Sequence, residues 1–151
     1  MIDELNDNDF EGLKLKNQLC FPLYVCSKEI VRMYRPFLDA LDMTYTQYIT
    51  MMVLWEEKKI SAKELGHRLF LDSGTLTPVM KSLENKGYMR RYRSPEDERV
   101  LIAELTEEGA LLRQKAADIP VQMASCVKLS PEEGRQLYDL LYKIISRMEN
   151  E

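Results

Sequence analysis

A cysteine near the start of the chain is the first residue whose chemistry could serve a function. Cys20 lies within residues 17–24, which read NQLCFPLY. A cysteine thiolate attacks a peroxide oxygen and becomes a sulfenic acid. Lys14 and Lys16 are the nearest bases and no histidine is adjacent, so tyrosine hydroxyls and a helix N-terminus are the expected stabilisers of a thiolate. The alternative is that Cys20 is a small buried hydrophobe.

Two tyrosines lie at informative distances from Cys20. Tyr24 follows by four residues, which places it on the same helix face. Tyr34 follows by fourteen residues, a rise of about 21 Å along a continuous helix. Tyr34 therefore cannot touch its own Cys20, but it can reach the Cys20 of a partner whose first helix runs antiparallel. The alternative for such tyrosines is an ordinary place in the core.

The other two cysteines are Cys26 and Cys126. Cys26 follows Cys20 by about 9 Å of helical rise, whereas the Cα atoms of a disulfide lie about 4.4–6.8 Å apart. A Cys20–Cys26 bond would require local unfolding, so Cys26 is predicted to be a packing residue. Cys126 lies near the end of the fifth predicted helix, where either a redox role or a buried, inert position is open.

Composition bounds the class of protein. The 151 residues, 45% of them hydrophobic, suit one compact domain or one domain plus an oligomerisation arm. No apolar run is long enough to cross a membrane. The N-terminus lacks the features of a signal peptide, and three irregularly spaced cysteines make no disulfide framework. We therefore expect a cytoplasmic protein without a membrane partner. One histidine and no zinc-ligand spacing predict no metal and no cofactor.

Charge is unevenly distributed along the chain. The net charge is −4, and residues 1–12 carry five acids without a base. Residues 61–93 instead carry seven Lys or Arg against three Asp or Glu, a local charge of +4. A local basic patch is what neutralises DNA phosphates, so double-stranded DNA is the expected partner.

Hydrophobic periodicity predicts mostly helices. Residues 1–12 are expected to form an acidic, frayed tail, and residues 13–41 a long helix interrupted by Pro22 and Pro36. A helix over 46–57, capped by Thr44 or Thr46, is apolar almost all round and should be buried.

The centre of the chain predicts a helix-turn-helix. Ser61 and Glu64 form a capping box that opens a short helix over 61–69. After a turn, a second helix begins at Asp72 or Ser73 and runs to residue 86, with Gly87 beyond its end. Pro78 should fall in or just after the first turn of that helix.

The period then changes to that of strands. Residues 88–93 and 100–105 predict a β-hairpin with a turn over 94–99, a wing beside the helix-turn-helix. A helix capped by Thr106 should run to about Cys126 with a break at Pro120. Ser130 should open the last helix, which ends near residue 148. That helix carries an apolar stripe made of Leu137, Leu140, Leu141, Ile144 and Ile145.

Short hydroxyls at the start of the second helix suit base edges and phosphates, and a basic hairpin suits the flanking backbone. Arg99 at the tip of the hairpin can enter a narrow minor groove, with Asp97 two residues away to hold its guanidinium. Taken singly, each of these residues could be a cap or a solvated side chain. The candidate DNA-binding residues are Asp72, Ser73, Thr75, Thr77, Pro78, Lys81, Arg90, Arg91, Arg93, Asp97 and Arg99.

The predicted fold is therefore mainly α with a small β-hairpin wing, a winged helix-turn-helix. Residues 46–106 form the DNA-binding region, and residues 13–45 and 107–151 form a helical dimerisation region. The terminal helices have apolar stripes that a second copy would cover, which predicts a homodimer on a pseudo-palindromic site.

The wing and its surroundings resemble the MarR family of winged helix-turn-helix repressors. Residues 97–99 (DER) and 105–109 (LTEEG) are similar to that family's wing signature, D-x-R-x5-L-T-x-x-G. Three further strings, residues 17–21 (NQLCF), 44–48 (TYTQY) and 71–78 (LDSGTLTP), resemble the OhrR subgroup of organic hydroperoxide sensors. Pro22 departs from the subgroup pattern.

This resemblance implies a dimeric repressor that leaves DNA when an organic hydroperoxide oxidises Cys20. It implies that Tyr34 and Tyr45 hydrogen-bond the sensor thiol across the dimer, beside Tyr24. It also implies that Cys126 belongs to the two-cysteine type, in which the cysteine of the other subunit resolves the sulfenic acid as a disulfide. A mixed disulfide with a small thiol is the alternative end state.

Three other functions fit parts of the pattern. A MarR-type repressor released by a lipophilic or phenolic ligand would use Cys20 only as a pocket wall. A DNA-free interaction protein would need no basic wing. A thiol peroxidase would need a recycling C-x-x-C or a catalytic histidine, and the sequence has neither, so an enzyme is not expected.

Overall fold

A computed structural model describes residues 7–149. Two short 3₁₀ helices, Asp7–Leu13 and Leu15–Asn17, precede seven α-helices and three strands. The acidic tail predicted over 1–12 lies partly outside the described residues, and its remainder is helical. The elements are α1 Cys20–Asp39, α2 Tyr45–Glu57, β1 Lys59–Ser61, α3 Ala62–Leu69, α4 Ser73–Asn85, β2 Met89–Arg93, β3 Leu101–Leu105, α5 Glu107–Ala116, α6 Ile119–Val127 and α7 Pro131–Met148.

This element order confirms the mainly α fold with a β wing, but α1 begins at Cys20 and not at residue 13. The side chain of Asn17 donates to the carbonyl of Glu11 and that of Gln18 to the carbonyl of Gly12, at 2.8 and 2.5 Å. These bonds tie the residues just before α1 to the backbone of the first 3₁₀ helix. Pro22 falls in the first turn of α1, where its missing N–H breaks no helical bond.

α2 is the central helix of the first compact unit. Thr44 caps it, and Gln47 completes the capping box by bonding the Thr44 backbone. Met51 and Leu54 are fully buried, as the all-round apolar pattern predicts. The Trp55 indole N–H donates to the Gly109 carbonyl at 2.8 Å, which ties α2 to α5.

The helix-turn-helix consists of α3 and α4. Ser61 accepts the Glu64 N–H at 3.1 Å, but the predicted capping box is only half made, and Ser61 is at the same time the last residue of β1. Asp72 caps α4 by accepting the Thr75 N–H at 2.8 Å. Pro78 is the sixth residue of α4 and lies deeper in the helix than predicted. Gly87 has φ of +79°, the left-handed position expected after a helix.

The wing is a three-stranded antiparallel sheet in the order β1-β3-β2. The predicted hairpin is present, with Arg91 opposite Ala103 and Arg93 opposite Leu101. β1, with Ile60 opposite Ala103, was not predicted. A strand of three residues is too short to show a recognisable alternation of apolar and polar residues in the sequence.

The helix predicted to run to about Cys126 with a break at Pro120 is two helices, and the break falls just before that proline. α5 ends at Ala116 and α6 begins at Ile119, so that Pro120 lies in the first turn of α6. A proline has no N–H to continue the helical ladder, which accounts for the break just before it. α7 begins with the predicted Ser130 cap, closed into a capping box by Glu133.

The chain divides into two compact units, Met1–Ala116 and Ala117–Glu151. The first unit includes α5, whose Leu112 and Ala116 are buried. In the second unit, α7 has no buried residue, so its apolar stripe is uncovered in the single chain. Over residues 7–149, none of the helices has the length and apolarity needed to cross a bilayer.

Candidate DNA-binding surface and redox site

The outer face of α4 is polar and fully open. Leu76, Met80 and Leu83 turn into the core, and their periodicity fixes which face remains outside. The predicted DNA-contacting residues of this helix all lie on exposed positions, namely Ser73, Thr75, Thr77, Pro78 and Lys81.

Asp72 is exposed but its carboxylate is already used as the cap of α4. This contact satisfies the Thr75 N–H, one of the N–H groups at the positive end of the helix dipole that have no partner within the helix. The Asp72 carboxylate therefore serves as the N-cap of α4 in this structure.

The tip of the wing carries the predicted Arg99. Its guanidinium donates to Asp97 through two bonds of 3.0 and 3.1 Å, while 90% of the Arg99 side chain is exposed. The hydrogen bonds from the Arg99 side chain, and then its backbone, lower the pKa of Asp97. The pair holds an extended cation at the end of the hairpin.

The three arginines of β2 differ in their surroundings. Arg93 is exposed, and its guanidinium donates to the Arg99 carbonyl at 3.2 Å. Arg90 pairs with Glu104 across the hairpin at 2.6 Å. Arg91 is more enclosed, and its guanidinium donates to the Glu84 carboxylate of α4 at 2.9 and 3.1 Å. Side-chain hydrogen bonds from Arg91 lower the pKa of Glu84.

Arg91 also donates its backbone N–H to Glu84, at 3.0 Å. Glu84 therefore holds both the backbone and the side chain of Arg91. Arg91 was predicted to contact DNA, and the structure pairs its guanidinium with Glu84 between α4 and the wing. No sequence signal indicated Glu84 as its partner, because the pair spans a helix end and a turn.

Cys20 is the first residue of α1 and is exposed. Its sulfur forms no hydrogen bond within residues 7–149. As the first residue of α1, Cys20 lies at the positive end of the α1 dipole. Tyr24 follows one turn later, 62% exposed, with the Lys28 ammonium 5.5 Å from its ring centre.

Tyr34 and Tyr45 come together at the junction of α1 and α2. Their ring centres are 5.0 Å apart. A third tyrosine, Tyr48, lies 5.7 Å from Tyr34 and 6.5 Å from Tyr45. Burial, and then the neighbouring phenols, raises the pKa of Tyr34 to about 12. We call these three residues the tyrosine cluster.

Tyr48 was missed as a member of this cluster. It is only 2% exposed and packs edge-on against Trp55, with ring centres 6.3 Å apart. The sequence did contain a signal for it, because Tyr48 follows Tyr45 by three residues and therefore lies on the same face of the helix.

Cys26 and Cys126 are both exposed. The prediction that Cys26 is a packing residue is wrong for the single chain, because its side of α1 faces solvent. Cys126 lies in the last turn of α6, in the second compact unit. Among residues 7–149, no three His, Cys, Asp or Glu side chains are grouped for a metal ion.

An outward-facing polar helix in a helix-turn-helix, followed by a basic sheet with an arginine tip, defines a winged helix-turn-helix protein. Residues 32–116 match the family described as transcriptional regulator SarA/Rot. The chain is 46% identical over 142 residues to the organic hydroperoxide resistance transcriptional regulator of Bacillus subtilis, covering 94% of this chain and 97% of that protein. The chain belongs to the MarR/SarA-type winged-helix transcription regulators.

Solved structures of related proteins agree with this assignment. The structure of reduced AbfR bound to DNA has a TM-score of 0.76 at 32% identity, covering 93% of this chain and 98% of that one. AbfR is a protein of Staphylococcus epidermidis. Its disulfide-formed structure has a TM-score of 0.62 at 32% identity, covering 96% and 99%. The B. subtilis relative is thus a transcriptional regulator, and AbfR is a DNA-binding protein.

Proposed function

We propose that this protein is a redox-sensing repressor that binds pseudo-palindromic operator DNA as a homodimer and is released when an organic hydroperoxide oxidises Cys20. The observation that carries the proposal is the pairing of Tyr34 with Tyr45 at a distance from an exposed Cys20 at a helix N-terminus. The B. subtilis relative, named for organic hydroperoxide resistance, supports the choice of oxidant.

In the proposed mechanism, the tyrosine cluster of one subunit acts on the Cys20 of a second subunit. α1 is continuous from Cys20 to Asp39, so a rise of about 21 Å separates Cys20 from Tyr34. In an antiparallel pair of α1 helices, the Cys20 of one subunit meets the tyrosine cluster of the other. The phenol O–H groups would then donate to the thiolate and stabilise it.

The chemistry at Cys20 is a two-electron oxidation. The thiolate sulfur attacks one peroxide oxygen, an S–O bond forms and the O–O bond breaks. The alkoxide that leaves takes a proton and becomes an alcohol, while Cys20 becomes a sulfenic acid. The sulfenic acid can no longer accept the tyrosine hydrogen bonds as an anion, which changes the balance of contacts between the subunits.

The DNA-binding surface follows from the exposed side chains. α4 enters the major groove with its hydroxyls and Lys81, and Arg99 reaches into the adjacent minor groove. Arg93 contacts the backbone. Similarity to DNA-bound AbfR supports DNA as the partner, and a DNA-bound repressor acts in the cytoplasm.

The test compares wild-type protein with Cys20→Ser, using cumene hydroperoxide and a pseudo-palindromic duplex selected on the reduced protein. Fluorescence anisotropy should show that peroxide releases the wild type and leaves Cys20→Ser bound with unchanged affinity. Cys26→Ser is the matched control and should be released like the wild type. Release of Cys20→Ser by peroxide would contradict the proposal. Release of Cys20→Ser by phenolic ligands would indicate a non-covalent effector instead.

We further propose Cys126 as the resolving cysteine of the partner subunit. Its thiol would condense with the sulfenic acid of Cys20, forming a disulfide and releasing water. The exposure of Cys126 and the existence of a disulfide-formed structure of AbfR support this step.

Non-reducing electrophoresis after peroxide treatment tests the Cys126 step. Wild type and Cys26→Ser should give a covalent dimer band, which Cys126→Ser should lose. Persistence of the same band in Cys126→Ser would exclude Cys126 as the resolver. Mass spectrometry would then show whether Cys20 ends as a mixed disulfide with a small thiol.

A further inference from the structure

A buried glutamine lies between the tyrosine cluster and the recognition helix α4. Gln47 is 8% exposed and is one of two buried polar residues in the described part of the chain, the other being Thr50. It is the third residue of α2, between Tyr45 and Tyr48. No DNA-contacting or thiol-stabilising role accounts for it.

Both ends of the Gln47 amide are used, and they face different elements. Its Nε2 donates to the Ser82 hydroxyl of α4 at 3.0 Å. Its Oε1 accepts the Thr44 backbone N–H at 3.1 Å and lies 3.4 Å from the Lys86 ammonium. One planar group thus joins the cap of α2 to the second half of α4.

Lys86 reinforces the same connection. Its ammonium also bonds the backbone carbonyl of Asp42 and pairs with the Asp42 carboxylate at 3.1 Å. The turn before α2 is therefore linked to the end of α4 through Lys86, and the first turn of α2 through Gln47.

The burial of Gln47 makes its bond to Ser82 sensitive to movement. A hydrogen bond in a buried site is costly to break, because the amide left behind has no water to replace its partner. A shift of the first turn of α2, which carries Tyr45 and Tyr48, must therefore carry α4 with it or lose the bond to Ser82.

We infer that Gln47 is a positioning residue that couples the tyrosine cluster to α4, so that a change at the sensor thiol alters the placement of the recognition helix. The inference rests on the proposed function, because it assigns the route by which oxidation reaches the DNA-binding surface. It does not require Gln47 to touch the thiol, the peroxide or the DNA.

The experiment measures the ratio of operator Kd after and before cumene hydroperoxide treatment, by fluorescence anisotropy. The variants are Gln47→Met, Ser82→Ala and the double variant. Thr50→Val is the matched control, since Thr50 is also buried on α2 but its hydroxyl donates to the Thr46 carbonyl of its own helix, at 2.7 Å. Thermal unfolding of each variant reports the accompanying change in stability.

Each single variant should lower the ratio by about fivefold or more, the scale of a typical coupling between sites. The double variant should lower it no further, because both changes remove the same bond. Thr50→Val should lose stability and keep the wild-type ratio.

Two results overturn the inference and are distinguishable. Wild-type ratios in both Gln47→Met and Ser82→Ala would overturn it while leaving the proposed function standing. A wild-type protein whose Kd does not change on peroxide treatment would overturn both. Ser82 is half-buried and its truncation to alanine suits a helix, so this variant decides the question even if Gln47→Met does not fold.

Discussion

At the residue scale, Tyr34 is suited to donating a hydrogen bond and not to carrying charge. Burial and the phenols of Tyr45 and Tyr48 raise its pKa to about 12. Burial likewise raises the pKa values of Tyr45 and Tyr48. The cluster therefore stays protonated near neutral pH, and its O–H groups remain available to an anion.

The raised pKa predicts a pH dependence with a definite sign. Because the phenol of Tyr34 holds its proton more tightly in the folded protein than the ordinary value of 10.0, its contribution to stability is present below pH 10 and is lost between about pH 10 and about pH 12. Ultraviolet titration should show a late-ionising phenol that disappears in Tyr34→Phe. Ionisation of all tyrosines near pH 10 would contradict the prediction.

Gly109 illustrates how a motif position is explained by a close contact. A Cβ at Gly109 would overlap the carbonyl oxygen of Tyr88 and lie 2.9 Å from Cδ1 of Leu105. The Gly109 carbonyl also accepts the Trp55 bond. The glycine of the LTEEG string thus lets α5 begin directly against the wing.

We expect Gly109→Ala to destabilise the protein by about 2–4 kcal/mol, through overpacking and displacement of α5. Gly134→Ala is the matched control, because Gly134 is also helical but has no atom within 4 Å of the added Cβ. That change should stabilise by about 0.5–1 kcal/mol. Urea unfolding measures both, and a Gly109→Ala variant as stable as the wild type would show that α5 is loosely placed.

The candidate site was only partly visible in the sequence at this scale. Tyr34 could be excluded from contact with its own Cys20, because helical rise is fixed by geometry. Gln47 and Glu84 could not be identified, because their partners lie tens of residues away or across a turn, and only the packing of α2 and β2 on α4 brings them together. Cys26 was predicted to be a packing residue because its neighbours in the sequence are apolar. Such neighbours do not show which face of the helix packs against the core.

At the element scale, α4 and the wing are held together by Glu84 and Arg91. The Glu84 side chain is 33% exposed and the Arg91 side chain is 20% exposed. The backbone N–H of Arg91 donates to one oxygen of the Glu84 carboxylate, and the guanidinium donates to the other. Such a contact fixes an angle between a helix and a strand more firmly than an exposed pair does. In the proposed complex with DNA, that angle sets how α4 and the wing tip approach two neighbouring grooves.

Glu84→Leu and Arg91→Met are therefore expected to weaken operator binding to a similar extent, about fivefold, which is roughly 1 kcal/mol. The double variant should lose no more than either single change. The salt dependence of binding should stay as in the wild type. If Arg91 instead contacts a phosphate, Arg91→Met alone will weaken binding and will reduce the salt slope by about one.

Helix ends that carry their own caps were predictable, and ends set by other contacts were not. Ser130 and Asp72 allow the starts of α7 and α4 to be predicted from the sequence, because a cap is a local interaction between residues three apart. The start of α1 depends on Asn17 and Gln18 bonding backward to carbonyls six residues earlier. β1 forms by pairing with the edge of β3, so the sequence of its three residues alone does not indicate a strand.

At the scale of the whole molecule, uncovered apolar faces argue for a dimer. Leu140 is 59% exposed and Ile144 38% exposed on α7, and Phe21 and Val31 on α1 are about as exposed. A monomer rarely leaves this much apolar surface in contact with water. A two-fold dimer would cover such faces, bring each Cys20 to a partner's tyrosine cluster, and present two α4 helices to the two halves of an operator.

This arrangement predicts that one charge in the stripe of α7 disables the repressor. Leu140→Glu should convert the dimer to a monomer in sedimentation, because the carboxylate would be buried without a partner in the interface. Operator affinity should fall by about a hundredfold, since one half-site contact is lost from a linked pair. Arg135→Gln is the control, as it makes the same change of net charge on the opposite side of the helix and should leave mass and affinity unchanged. A Leu140→Glu protein that stays dimeric and bound would place the interface elsewhere, and the tyrosine cluster would then lack the partner cysteine on which the sensing mechanism depends.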